Sequence, residues 1–283
     1  ELITTPLEHA RHRLNGSGVL LVRPPAGTCE ALAGAAPAVG RRCATLADRM
    51  VEAQQIGVDD VWARVRVLFE NGALGAARRT LGYLPASDAH DEALLNQAAT
   101  APKKLLANPP KNLARRATRE MVLFAVVRLG RSEPEAAVEV LQGKLGERLP
   151  AADVKYLWGR LALEGARRLI PEAHNWYAFA DTATLSDEQL AWKARAALRA
   201  ADWQAVRDAI DRMSATARQD PAWSYWYGRA LGAQGTADGA RAYFLRISAQ
   251  PNFYGLLAAE ELGYVPAVPE PFNVATEAEV AAA

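Results

Sequence analysis

From about Arg41 onward, apolar residues recur at i, i+3 and i+4, the spacing of one buried helix face, and short polar joints separate the runs. Val61, Trp62, Val65, Leu68 and Phe69 form such a stripe, which Asp59 or Asp60 can cap. Asn71-Gly72 ends it, and Ala73–Leu84 makes the antiparallel return. Ser87 or Asp88 starts the next helix, Pro102 and Pro109-Pro110 interrupt the path, and a long helix follows from about Asn112 to Leu129. Capping boxes stand at Ser132–Glu135 and Ser186–Gln189, and Asp202 and Asp220 supply two more starts. Several helices are expected to stop at Leu-Gly or Asn-Gly, where a left-handed residue suits glycine.

The first fifty residues read differently. Thr5-Pro6-Leu7-Glu8 has capping-box form and predicts a short helix to about Asn15, which Gly16-Ser17-Gly18 ends. Val19–Val22 is too short to assign, and Pro24-Pro25 stops it. The domain reading is an irregular segment over 1–40, a helical array over 41–263 and a tail or linker start over 264–283.

Superposed on the helical stripes is a longer beat. Phe124, Trp158, Trp192 and Trp226 follow one another at 158−124, 192−158 and 226−192, each equal to 34. About 34 residues is one helix–turn–helix unit of a tetratricopeptide-like array. A single helix pair has too little apolar surface to bury alone, so neighbours stack to complete a core. A large aromatic at the same place in each unit fills the same gap, and Trp158, Trp192 and Trp226 are therefore expected in the core rather than as an exposed sugar platform. The expected fold is all-α: a right-handed superhelix of helix pairs, roughly a dozen helices, curved or U-shaped.

Composition narrows the function classes. Half of the 283 residues are hydrophobic, and the formal net charge of +1 points to neither a nucleic-acid binder nor an acidic tail. No run of about 18 apolar residues occurs, so no transmembrane span is expected. The chain opens at Glu1 with neither a start methionine nor a signal peptide, so a leader has been removed or the chain is a fragment. Cys29 and Cys43 can close a short loop in an oxidising compartment, or be two unrelated small side chains in a reduced one.

Candidate chemistry is sparse. His9, His12, His90 and His174 fall in no metal-ligand spacing, so no metal and no cofactor is expected. Gly16-Ser17-Gly18 lacks the third glycine of a dinucleotide fingerprint, and Glu260-Glu261 are adjacent on a helix and do not face one another. One charged feature stands out: Lys103, Lys104, Lys111, Arg115, Arg116 and Arg119 with no acid among them. On a concave face they would attract an extended polyanion; otherwise they are a solvated helix surface.

The last hundred residues carry the most specific pattern. It runs Trp192-x-x-Arg195-Ala196-Ala197-Leu198, Asp202-Trp203-x-x-Val206, Trp223-x-Tyr225-Trp226-x-x-x-Arg229-Ala230, then Gly235, Ala240-Arg241, Tyr243, Asn252-Phe253-Tyr254-Gly255 and Leu262-Gly263. This succession resembles the superhelical region of the soluble lytic transglycosylases, bacterial periplasmic enzymes that cut peptidoglycan glycan strands. The resemblance is good over about 120–263 and weaker over about 41–119. Phe124, Trp158, Trp192, Trp203, Trp226, Tyr254 and Gly255 are its signature.

The resemblance implies a U-shaped superhelix carrying a lysozyme-like catalytic domain that cleaves the MurNAc–GlcNAc β-1,4 bond and leaves a 1,6-anhydro product. The glutamate–serine, Gly-Leu-Met-Gln-like and Ala-Tyr-Asn-x-Gly-like motifs of that domain do not occur here, so no catalytic residue is transferred. It further implies a periplasmic location, which favours a Cys29–Cys43 bridge, and as partners peptidoglycan strands, other cell-wall proteins and the parent's catalytic domain, without nucleic acid. A free-standing tetratricopeptide-like adaptor for protein partners is the rival reading.

Overall fold

The structure is a computed structural model that describes residues 56–264. The Thr5–Asn15 helix, His9, His12, the Cys29–Cys43 pair and the boundary near residue 40 lie outside the described residues. So does the 264–283 segment apart from Tyr264. Fourteen α-helices, two 3₁₀ turns and no strand make up the described residues. The chain divides into two compact units, 1–89 and 90–283.

In the first unit, α1 (Val58–Glu70) and α2 (Leu74–Leu81) form one antiparallel pair. The stripe Val61, Trp62, Val65, Leu68 and Phe69 is buried, as its spacing requires, against Ala77 and Leu81 of α2. Gly57 is the N-cap, and its N–H donates to Asp60 Oδ2 at 3.0 Å, so Asp60 secures the start from inside the first turn. Gly72 turns the chain at φ 72°. A 3₁₀ turn over Ala86–Asp88 stands where a helix start was expected.

The second unit contains α3 (Glu92–Thr100), α4 (Pro102–Ala107), α5 (Arg116–Ser132), α6 (Pro134–Gln142), α7 (Lys144–Arg148), α8 (Ala151–Arg167) and α9 (Ala173–Ala178). It continues with α10 (Asp187–Arg199), α11 (Trp203–Asp211), α12 (Pro221–Ala233), α13 (Ala237–Ile247) and α14 (Phe253–Glu261). Successive helices pair as hairpins, α5 with α6, α8 with α9, α10 with α11 and α12 with α13. The leading helices α5, α8 and α10 also pack side by side, while α12 packs on α11 and α14.

Cap chemistry repeats with the helices. Ser186 and Asp220 cap α10 and α12, and 220−186 is 34; Asp202 and Thr236 stand at the starts of α11 and α13, and 236−202 is again 34. Ser186 and Gln189 form the expected reciprocal box, and Asp202 accepts from Ala205 N at 3.0 Å. The hairpin turns repeat too: Ala201 (φ 53°) and Gly235 (φ 82°) hold the same left-handed position one unit apart.

Three local expectations are corrected. Ser132 caps nothing: it is the last residue of α5, and its hydroxyl donates to the Leu129 carbonyl at 3.2 Å. The residue before a proline is disfavoured in the helical region, so the break falls at Glu133, and Pro134 opens α6. Asp91, rather than Ser87 or Asp88, caps α3, its Oδ1 accepting from Ala93 N and Leu94 N. Among the Leu-Gly pairs, Gly130 and Gly232 lie inside helices and Gly82 is right-handed, whereas Gly263 has φ 83°.

Close helix approach depends on missing side chains. A Cβ on Gly228 would sit 2.7 Å from the Phe244 ring, and one on Gly165 2.5 Å from Trp176. Gly255, in the Phe-Tyr-Gly element, faces the Ile247 and Gln250 carbonyls so closely that any side chain would strike backbone. Asn252 Oδ1 accepts the Gly255 N–H at 3.0 Å and fixes this turn.

Candidate functional site

The residues of the basic stretch differ in their surroundings. Arg119 is inward: its Nε donates to Asp153 Oδ2 at 2.9 Å, and its Nη1 donates to the Leu113 and Ala114 carbonyls. Arg116 faces Glu120, one turn on, at 3.5 Å, and Glu120 is buried. Lys103 reaches Glu133 at 2.7 Å. Lys104, Lys111 and Arg115 are exposed. Arg119 thus ties α5 to α8 and Arg116 lies against its own helix, while Lys103 keeps a surface pair.

Arginines make most of the ties between successive units. Arg148 donates to the Pro110 carbonyl at 2.6 Å, Arg199 to Leu169 at 2.6 Å, Arg212 to Ala183 at 2.8 Å, and Arg168 to Arg131. Arg167 bonds Glu188 at the start of α10. A guanidinium on a long stem can bridge a repeat and satisfy helix-end carbonyls that have no partner in their own helix. Glu261 has a similar duty: it accepts from Tyr225 Oη at 3.2 Å and pairs with Arg229 at 2.9 Å, while Arg229 donates to Tyr225 Oη. Burial pushes the Tyr225 phenol above its ordinary range, and chiefly the hydrogen bond to Tyr225 raises Arg229.

The expected aromatic core holds for only part of the series. Phe124 and Trp158 are buried, and Trp158 packs on the exposed Phe179 at 4.6 Å between ring centroids. Trp192 and Trp226 are half-exposed, as are Trp203 and Tyr254, while Gly255 is buried. The position one residue further on also differs between units. Gly159 of α8 admits Leu185 and Gln189 so closely that a Cβ there would be 2.8 Å from Leu185, whereas one unit later the position is Lys193, and then Tyr227. Larger side chains stand at that place in the units whose indoles stay partly open to solvent.

Arg195 sits within this opening. Its Cζ lies 5.1 Å from the centroid of Trp192 and 5.0 Å from that of Trp223, which is buried. Trp226, one turn beyond Trp223, meets Tyr225 edge-on at 5.2 Å. Arg195 belongs to the recognised Trp-x-x-Arg element, but its second indole comes from the following unit, and linear spacing alone does not reveal that meeting.

Histidines serve as local ties. His90 meets Glu92 at 3.0 Å and His174 meets Asp202 at 3.1 Å. Among the described residues no three metal-ligating side chains converge, and no helix is long and apolar enough to cross a membrane.

No family profile and no curated protein sequence matches this chain. Among the solved structures it is similar to are lytic transglycosylases. An inactive mutant of the lytic transglycosylase Slt from Pseudomonas aeruginosa shares 25% identity at a TM-score of 0.56, covering 81% of this chain and 37% of its own. The 70-kDa soluble lytic transglycosylase of Escherichia coli gives 21% and 0.49, covering 83% and 39%, and a complex of a 70-kDa soluble lytic transglycosylase with bulgecin A gives 20% and 0.48 over the same shares. The chain thus spans well under half the length of these proteins.

Proposed function

We propose that this chain is the superhelical, non-catalytic scaffold of a soluble lytic transglycosylase, acting in cell-wall peptidoglycan turnover in the periplasm. The likeness to the Pseudomonas aeruginosa enzyme carries this reading: it extends over 81% of this chain while taking up 37% of that protein. The residues agree with it. Charged side chains at the unit junctions are occupied in cross-ties, so the array is organised to hold a shape. The parent enzyme's cleavage of the MurNAc–GlcNAc bond would belong to a separate lysozyme-like domain, and the array would guide glycan strands or cell-wall partners toward it. Lys103, Lys104, Lys111 and Arg115, exposed within the basic stretch, are the proposed polyanion contacts.

The test is incubation of the purified chain with isolated peptidoglycan sacculi, with the soluble fraction analysed for muropeptides. A scaffold leaves the soluble fraction free of 1,6-anhydro products. Their release would contradict the non-catalytic assignment. Capture of protein partners with no retention on sacculi would favour the adaptor reading instead.

A further inference from the structure

Arg195 differs in its surroundings from the arginines that tie the units together. It is exposed and, among the described residues, makes no hydrogen bond or ion pair; what holds it is two indole rings, 5.1 and 5.0 Å from Cζ. A guanidinium on aromatic faces keeps its charge and planar set of N–H donors while losing conformational freedom, because stacking fixes the side chain without using the donors. Trp223 is buried on α12, and Trp192 and Arg195 lie one turn apart on α10, so the clamp is built on two rigid helices. Such a fixed, unengaged fork suits bidentate recognition of a planar oxyanion. Trp192, partly exposed, lies beside it, and a partly wet ring of this kind takes the apolar face of a sugar.

Resting on the peptidoglycan reading above, we propose that Trp192, Arg195 and Trp223 form a carboxylate-binding subsite for peptidoglycan. Arg195 receives the carboxylate and Trp192 stacks beside it. Two sources share that chemistry: the lactyl carboxylate of MurNAc units that carry no stem peptide, and the carboxylates of the stem peptide.

The test is calorimetric titration of the whole chain with three probes: a peptide-free GlcNAc–MurNAc tetrasaccharide, the chitin tetrasaccharide lacking the lactyl group, and free stem peptide. Charge-assisted hydrogen bonds of this kind are worth about tenfold or more in affinity. The carboxylated sugar or the stem peptide should exceed the chitin oligomer by that factor, Arg195→Gln should abolish the difference, and Arg195→Lys should restore only part of it. Whichever carboxylated probe shows the Arg195-dependent gain identifies the source. Equal binding of all probes, binding of none, or an Arg195→Gln variant with unchanged affinities overturns the subsite. Retention of the wild type on sacculi, measured alongside, separates the two ideas: retention indifferent to Arg195→Gln removes the subsite and leaves the scaffold role, and no retention removes that role.

Discussion

Arg119 of α5 and Asp153 of α8 are 34 residues apart in the chain and 2.9 Å apart in space. The pair is the repeat expressed as a contact, with both side chains largely shielded from water at 17% and 9% exposure. Removing one partner of a buried pair leaves an uncompensated charge, which costs more than the pair's own net contribution. Asp153→Ala should therefore destabilise the chain by about 3 kcal/mol, and Arg119→Ala with Asp153→Ala by less than the sum of the single changes. Urea denaturation of the four-member cycle measures this.

Burial separates the aromatic positions that the repeat makes equivalent. Trp158→Ala should cost about 3–5 kcal/mol because the ring is enclosed. Trp192→Ala and Trp226→Ala should cost about half of that or less, since each ring keeps part of its surface in water. Equal shifts in urea midpoint for the three variants would contradict the opening between the later units.

Left-handed residues without glycine offer a stabilising change. Leu169 (φ 61°) is exposed, and Ala201 (φ 53°) occupies the place that Gly235 fills one unit later. Relief of the left-handed cost, offset by the greater freedom of glycine in the unfolded chain, should raise stability by up to about 1 kcal/mol for Ala201→Gly or Leu169→Gly. Thermal melts should show a higher midpoint for each.

Asp187 gives a pH signature. Ser214 donates both its hydroxyl and its backbone N–H to the carboxylate at 2.7 Å, and these bonds, hydroxyl first, lower the Asp187 pKa below its ordinary 3.8. A depressed carboxyl stabilises the fold above its unfolded pKa, and that contribution disappears as pH falls through the folded value. Asp187→Ala should therefore melt lower than wild type near neutral pH, with the gap closing as pH falls through the lowered folded value. A gap unchanged at acid pH would contradict the linkage.

Much of the architecture was readable because each unit carries its own local signals. The Ser186, Asp202 and Asp220 caps and the Asn71-Gly72 stop are each encoded within a few residues, and the structure has each of them. Ser132 misled because its capping-box spacing competes with the restriction that Pro134 places on Glu133, and the restriction prevails. The exposure of Trp192 and Trp226 was not legible, because periodicity marks equivalent places without saying how tightly units close. Arg119 looked like part of a surface charge run because its acidic partner lies a full unit away, although Asp153 stands at the repeat distance. The Arg195 clamp was hidden for the same reason: Trp223 comes from a different unit.

The scaffold assignment is tested most directly by equilibrium retention of the purified 283-residue chain on intact sacculi, at about 0.15 M and about 1 M salt. The account predicts saturable retention that weakens at high salt, and weaker retention with less salt dependence after Lys104→Glu with Lys111→Glu. A chain that stays in the supernatant at both salt concentrations would contradict it.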